Sequence, residues 1–357
     1  MYQHDRNYAC RISDEWMLKG LRTVVMENEL LRITILADKG SDIYEFLYKP
    51  LDIDFMWRAP AGLRNPNQGL PTNATAAGSF IDYYEGCWQD ILPSGGGACE
   101  YKGVSYGQHG EVSNLPWKAR IIRDSPDEVS CQLSVRAMRT PIRVEKTLTL
   151  KRGEALLHIS ESLINESPEP VDLMWGHHLA FGEPFLDEHC RIDTPASEIL
   201  IHADGYSDNH RFTPGERFSW PIAKDRHGGE VDFRTIPPKS QKTEDMTYLL
   251  DLAEPWFALT HQDRKVGFGL RWSGDVFNYL WYWQVFNGGQ GYPWYSQTYN
   301  IGLEPWTSMP TSGLAEAVKQ NTHRTLPPNG KIDAAFLAVV YTDLSKVQSI
   351  SKNGEVT

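Results

Sequence analysis

Three short segments hold side chains that could move protons. Gln108-His109-Gly110 sets an imidazole at a turn, because its glycine tolerates backbone angles that other residues resist. Trp175-Gly176-His177-His178-Leu179-Ala180-Phe181-Gly182 carries two adjacent histidines in a strand-like run. Neighbouring residues of a strand face opposite ways, so these two imidazoles do not chelate one ion together. One enters a pocket and the other packs or meets solvent. No His-x-His or His-x-x-x-His spacing points to zinc, and no metal ligand is assigned. Asn300-Ile-Gly-Leu303-Glu304-Pro305-Trp306-Thr307 sets a carboxylate among apolar residues, beside a proline and a tryptophan. Partial burial raises a carboxyl pKa toward the range useful to a general base.

The elements that must position these groups read as strands. Leu31, Ile33 and Ile35 share one face, as do Val129, Cys131, Leu133 and Val135. Residues 147–150 and 157–163 continue the period of two, and residues 334–341 read as a closing strand buried on both faces. Short β-rich runs between turn residues predict a sandwich or barrel. Short helices are expected near Ser79–Asp90 and Ser312–Lys319, and a surface loop over residues 59–78. No change of composition divides the chain, so residues 1–357 are expected to form one domain.

Aromatic residues crowd the later part of the chain, at Tyr279-Leu-Trp-Tyr-Trp283, Tyr292-Pro-Trp-Tyr295 and Trp306. A strand sends Trp281 and Trp283 to one face and Tyr282 to the other. Flat indoles suit the C–H faces of a sugar ring, with a few polar groups at the rim. A large aromatic core accounts for the same rings.

Taken together, these segments resemble the galactose mutarotase (aldose 1-epimerase) superfamily. His109-Gly110 with Pro116-Trp117 matches its His-Gly turn and following Pro-Trp. His177-His178-Leu179-Ala180-Phe181 matches its second histidine segment, with His178 in the catalytic frame, His177 as the alternative and Ala180 where the family has Tyr. Glu304-Pro305-Trp306-Thr307 matches its late Glu-Pro-x-Thr, and residues 24–35 and 40–43 resemble its opening strands. The resemblance spans nearly the whole chain.

It implies an all-β fold, a large antiparallel β-supersandwich with a central carbohydrate-binding cleft. It implies an isomerase that needs no cofactor. Glu304 would take the proton of the anomeric hydroxyl. His178, its charged form favoured by a nearby carboxylate, would protonate the ring oxygen, and His109 would stabilise developing charge. His177, Trp283 and Trp306 are expected at the sugar. The family's early Arg falls on Arg64 or Arg58, and its mid-chain acid on Asp275 or Asp251. A sugar-binding or sensing protein of the same fold and a hexose-phosphate epimerase are the competing readings. The latter needs clustered Arg, and Arg136, Arg139 and Arg143 are split across faces by strand alternation. The glycines of Asp90-Ile-Leu-Pro-Ser-Gly-Gly-Gly97 are expected at the cleft mouth and lack the phosphate-loop pattern.

Composition narrows the partners. Thirty-five basic and 46 acidic residues leave a net charge of −11, which argues against gripping nucleic acid or an acidic lipid surface. No run of about 18 apolar residues appears. Five scattered cysteines make no disulfide framework. The polar start lacks a signal-peptide core, and a cytoplasmic protein, monomer or homodimer, acting on a small carbohydrate is expected.

Overall fold

The computed structural model describes residues 6–68 and 78–357. Among these residues strands dominate, and the α-helices are two short ones, Gly78–Asp82 and Leu314–Lys319. Both fall where short helices are expected from the sequence. Part of the expected 59–78 loop lies outside the described residues; its described part, residues 59–68, is irregular and exposed or half-buried, with Ala59 and Leu63 tucked inward.

Two sheets carry the architecture. The larger runs, in spatial order, Arg11–Ser13, Leu21–Glu27, Leu31–Leu36, Asp42–Tyr48, Trp88–Ile91, Gly176–Gly182, Tyr299–Trp306, Tyr279–Phe286, Thr243–Leu250, Glu198–Ile201 and Arg217–Ser219. The smaller runs Lys118–Asp124, Glu128–Arg136, Ile142–Lys151, Leu156–Asn165, Lys331–Thr342, Val266–Trp272, Trp256–His261 and Cys190–Asp193. The pairings between them are antiparallel. This is the β-supersandwich expected from the sequence. No helix among the described residues is long and apolar enough to cross a membrane.

The sheets meet face to face over an aromatic core. Phe268 of the smaller sheet packs edge-on against Phe46 of the larger, with centroids 5.1 Å apart, and lies 5.2 Å from Phe181. Edge-to-face contact matches the positive rim of one ring to the negative face of the other. Residues 336–341 of the closing strand are buried on both faces, as their unbroken apolar run requires.

The same alternation gives the larger sheet a second, outer apolar face. In Tyr279–Phe286, Leu280, Tyr282 and Phe286 join the inter-sheet core, while Trp281, Trp283 and Val285 join a separate outer cluster. In Tyr299–Trp306, Ile301 and Leu303 point inward, and Trp306 joins the outer cluster. The expected split of Trp281 and Trp283 from Tyr282 is therefore present.

Charged groups are also buried. Lys39, fully enclosed, lies 2.8 Å from Asp42 and 2.6 Å from Glu85. Lys146 of the smaller sheet reaches Asp90 of the larger and donates to the Ser41 carbonyl at 2.9 Å. Each buried cation thus has a carboxylate, which limits the cost of removing both from water.

The arginine cluster is arranged differently from the expectation. Arg136 and Arg143 are direct cross-strand partners and share Glu166, at 2.7 and 2.9 Å. They stand together because the hairpin register, rather than spacing along one strand, decides the face.

Phe268→Ala should cost about 3–5 kcal/mol of stability, whereas Trp16→Ala, at a side chain 66% exposed, should stay within about 0.5 kcal/mol. Urea unfolding of both variants checks this. Equal losses would mean that the inter-sheet rings are not the principal core.

Candidate active site

The outer face of the larger sheet brings His109, His178 and Glu304 together. His178 and Glu304 come from neighbouring strands, whose register pairs Gly176 with Trp306 and Ala180 with Gly302. That register sets His178 opposite Glu304, and His178 Nε2 lies 3.5 Å from Glu304 Oε1. The gap is slightly long for a hydrogen bond.

His109 arrives from a turn, with φ of 57°. Its backbone N–H donates to the Gly96 carbonyl at 2.9 Å, and the Gly96 N–H donates back to Nδ1 at 3.2 Å. Accepting at Nδ1 leaves the hydrogen of the neutral ring on Nε2. The turn glycines therefore fix an imidazole tautomer. The His109 ring stands 5.2 Å from that of His178.

Aromatic side chains wall the cleft. Its lining comprises Phe80, Ile81, Tyr84, Gln108, His109, His178, Tyr206, Met246, Trp281, Trp283, Trp294, Glu304 and Thr311, around about 380 Å³ of empty space including the mouth. Phe80, Ile81 and Tyr84 come from the helix Gly78–Asp82 and the residues just after it, and Trp294 from the loop after Tyr279–Phe286. No Lys or Arg is among these lining residues.

Such walls govern protonation. Burial pushes the Glu304 carboxyl up to about 8, with the Trp306 indole N–H pulling the other way. Burial pushes His178 down to about 3. His109 is held well below the ordinary imidazole range by burial, then by its neighbour His178. Both members of the facing pair thus favour their neutral forms, and at neutral pH the pair carries one proton. The expectation of a charged His178 is corrected accordingly: with no lasting charge on Glu304, nothing offsets the desolvation of an imidazolium.

The other expected residues are distributed unevenly. Trp283 lines the cleft. Trp306 lies beneath it, stacked on Trp281 at 3.9 Å and 15°, with its Nε1–H donating to Glu304 Oε2 at 3.0 Å. His177 is on the opposite face, inside the sandwich, and does not reach the cleft. Its Nδ1 accepts the Trp88 indole N–H at 2.9 Å and its Nε2 faces Glu161 at 3.2 Å. Arg64 is exposed outside the lining and donates to the Asp82 carbonyl at 2.9 Å. Arg58 lies over the Tyr44 ring at 3.9 Å and pairs with Asp54. Asp275 borders a separate concavity with Trp272 and Lys352, and Asp251 is exposed just past its strand. Neither joins Glu304.

Sequence reasoning did not single out the cleft-lining Tyr84, Tyr206 and Gln108. The position of Gln108 beside His109 is a usable signal. Tyr84 and Tyr206 reach the cleft through loop paths that no local pattern announces.

Asp90, Glu161 and His177 offer ligand atoms close enough to share an ion. Both nitrogens of His177 are already engaged, however, and the Lys146 ammonium supplies a cation at Asp90. This trio fits a buried hydrogen-bonded cluster better than a metal site.

A family model described only as a domain of unknown function, DUF4432, matches residues 18–336. No curated protein matches. Among solved structures, a candidate aldose 1-epimerase from Klebsiella pneumoniae is similar at 17% identity and a TM-score of 0.73, covering 94% of this chain and 83% of its own. A galactose mutarotase-like protein from Clostridium acetobutylicum is similar at 15% identity and 0.64, covering 94% and 99%. A galactose mutarotase related enzyme from Lactobacillus acidophilus is similar at 17% and 0.59, covering 90% and 97%. At these identities the likeness establishes the fold.

The Glu304 environment predicts a pH-dependent stability. A carboxyl raised on folding contributes stability that is fully present below its ordinary pKa and lost as pH rises toward about 8. Glu304→Gln removes that titration. The variant should therefore gain in Tm relative to wild type between about pH 4.5 and 8, and level off above. A gap that stays constant over this range in thermal unfolding would mean that Glu304 titrates normally.

Proposed function

The chain belongs to the DUF4432 family and has the galactose mutarotase-like fold, and we propose that it interconverts the α and β anomers of a free aldose by acid–base ring opening and closure. The observation that carries this reading is the Glu304–His178 pair, facing at 3.5 Å inside an aromatic cleft. A ring opening needs one proton removed and one supplied within a few ångströms. A pair that shares a single proton meets both needs, because moving that proton from Glu304 to His178 creates a base and an acid together.

With the sugar bound, Glu304 takes the proton from O1 while His178 Nε2–H gives its proton to the ring oxygen. The C1–O5 bond breaks and the C1–O1 bond becomes a carbonyl. Rotation about C1–C2 presents the other carbonyl face. The ring oxygen then attacks C1, returning its proton to His178 as Glu304 returns one to O1. No electrons leave the sugar, and the pair ends as it began. The Nε2–H of His109 is free to donate to the developing charge at oxygen. Trp281, Trp283 and Trp294 supply flat surfaces for the sugar's C–H faces.

The lining favours a neutral sugar. It holds no Lys or Arg, and the densest arginine group is tied to Glu166 and Glu111 outside the cleft. A hexose phosphate would enter with two charges and meet no cation.

Anomer exchange followed by saturation-transfer NMR over a panel of free aldoses tests the proposal. Wild type should accelerate exchange of at least one sugar, and Glu304→Gln should lose about 10²–10⁴-fold. Activity should hold at neutral pH and fall by about tenfold per unit above pH 8, where the shared proton is lost and the acid with it. Binding without acceleration would make the protein a sugar-binding module. Equal rates for both proteins would remove Glu304 from the chemistry.

A further inference from the structure

The Glu304 carboxylate is divided between two partners. Oε1 faces His178 at 3.5 Å, and Oε2 accepts the Trp306 indole N–H at 3.0 Å. We propose that Trp306 is a positioning residue, whose N–H holds Oε2 and so presents Oε1 to His178 and to the sugar. This rests on the acid–base reading of the cleft given above.

The fold seats the indole closely. A Cβ added at Gly176 or at Gly95 would lie 2.2 Å from its ring atoms, so both glycines are needed for it to lie flat. Trp281 stacks on it at 3.9 Å and 15°, and the N–H of Trp281 is itself fixed to the Ser308 carbonyl at 3.0 Å. The His109 ring lies nearly parallel to Trp306, at 6.3 Å and 29°. The indole cannot tilt without meeting a backbone or another ring, so the direction of its N–H is set by the sandwich. Gly302 completes the arrangement: a Cβ there would stand 2.4 Å from Glu304 Oε1, so a side chain at 302 would displace the carboxylate.

The bond also sets the basicity of the group it holds. Glu304 is 1% exposed, faces His178, shares the cleft with His109, Tyr84 and Tyr206, and is felt by Tyr248 behind them, all groups that are neutral in these surroundings. A donor on the carboxylate favours its ionised form. Losing the N–H therefore raises the Glu304 pKa and favours the arrangement with the shared proton on Glu304 and His178 as a neutral imidazole.

Two variants test this. Trp306→Phe keeps a ring and loses the N–H. Replacement of Trp306 by benzothienylalanine keeps the indole's shape and puts sulfur in place of N–H. The Glu304 pKa is read from its side-chain ¹³C resonance, assigned with Glu304→Gln, so this readout needs no activity. Both variants should raise that pKa by about one unit, with kcat falling about tenfold and KM little changed. A benzothienylalanine variant that folds and titrates as wild type overturns the inference, whatever its activity. A raised pKa in a protein that exchanges no aldose would uphold the Trp306–Glu304 link and sink the mutarotase reading alone.

Discussion

A carboxyl and an imidazole buried together, with no Lys or Arg among the described residues that line their cleft, are the constraint from which the rest of the site follows. Taking a lone carboxylate out of water is costly, and the protein answers by leaving it protonated. At neutral pH Glu304 and His178 can share one proton at little electrostatic cost, because the pair stays neutral overall. Each neighbour respects that condition. The walls are aromatic, the Trp306 indole supplies a dipole rather than a charge, and His109 is held neutral with Nδ1 occupied by the Gly96 N–H.

The inner face of the larger sheet, against the smaller one, solves the opposite problem. Asp90 and Glu161 are also buried, but there Lys146 and His177 stand against them. A buried ion pair is weak evidence for stability, yet removing one partner leaves an uncompensated charge, so the pairing fixes geometry. Lys146 links the two sheets through Asp90, and the Trp88 indole holds His177. Because His177 and His178 are consecutive, anchoring the first inside the sandwich sets the height and direction of the second. One histidine serves the interior so that the other can serve the cleft.

This division shows what the sequence could and could not reveal. Alternation alone separated His177 from His178 and Trp281 and Trp283 from Tyr282, because a strand's two faces are a local property. The Glu304 segment stood out for the same reason, with its charge set in an apolar run beside Trp306. Alternation does not say what lies above each face, so His177 could be assigned to the sugar when its partners are Glu161 and Trp88, from elsewhere in the chain. Arg64 and Asp275 were drawn from loops, where position depends on a path rather than a period. Arg136 and Arg143 were judged by spacing along the chain, but their shared face is decided by cross-strand register. Tyr84 and Tyr206 were missed because loops deliver them.

The neutrality that lets the pair share its proton also bears on which ligands the cleft can hold. In a low-dielectric pocket an approaching anion raises the energy of every carboxylate near it. A phosphorylated sugar would hold the proton on Glu304 more firmly and suppress the base just as the ligand arrived. Offsetting that would take a cation in the lining, and a cation close to Glu304 would lower its pKa and end the sharing of the proton with His178. On the proposed function, a cleft that keeps one mobile proton between a buried acid and a buried base would suit an uncharged polyol, whose hydroxyls replace hydration without adding charge. Trp281, Trp283 and Trp294 can then contribute contact area without disturbing that balance.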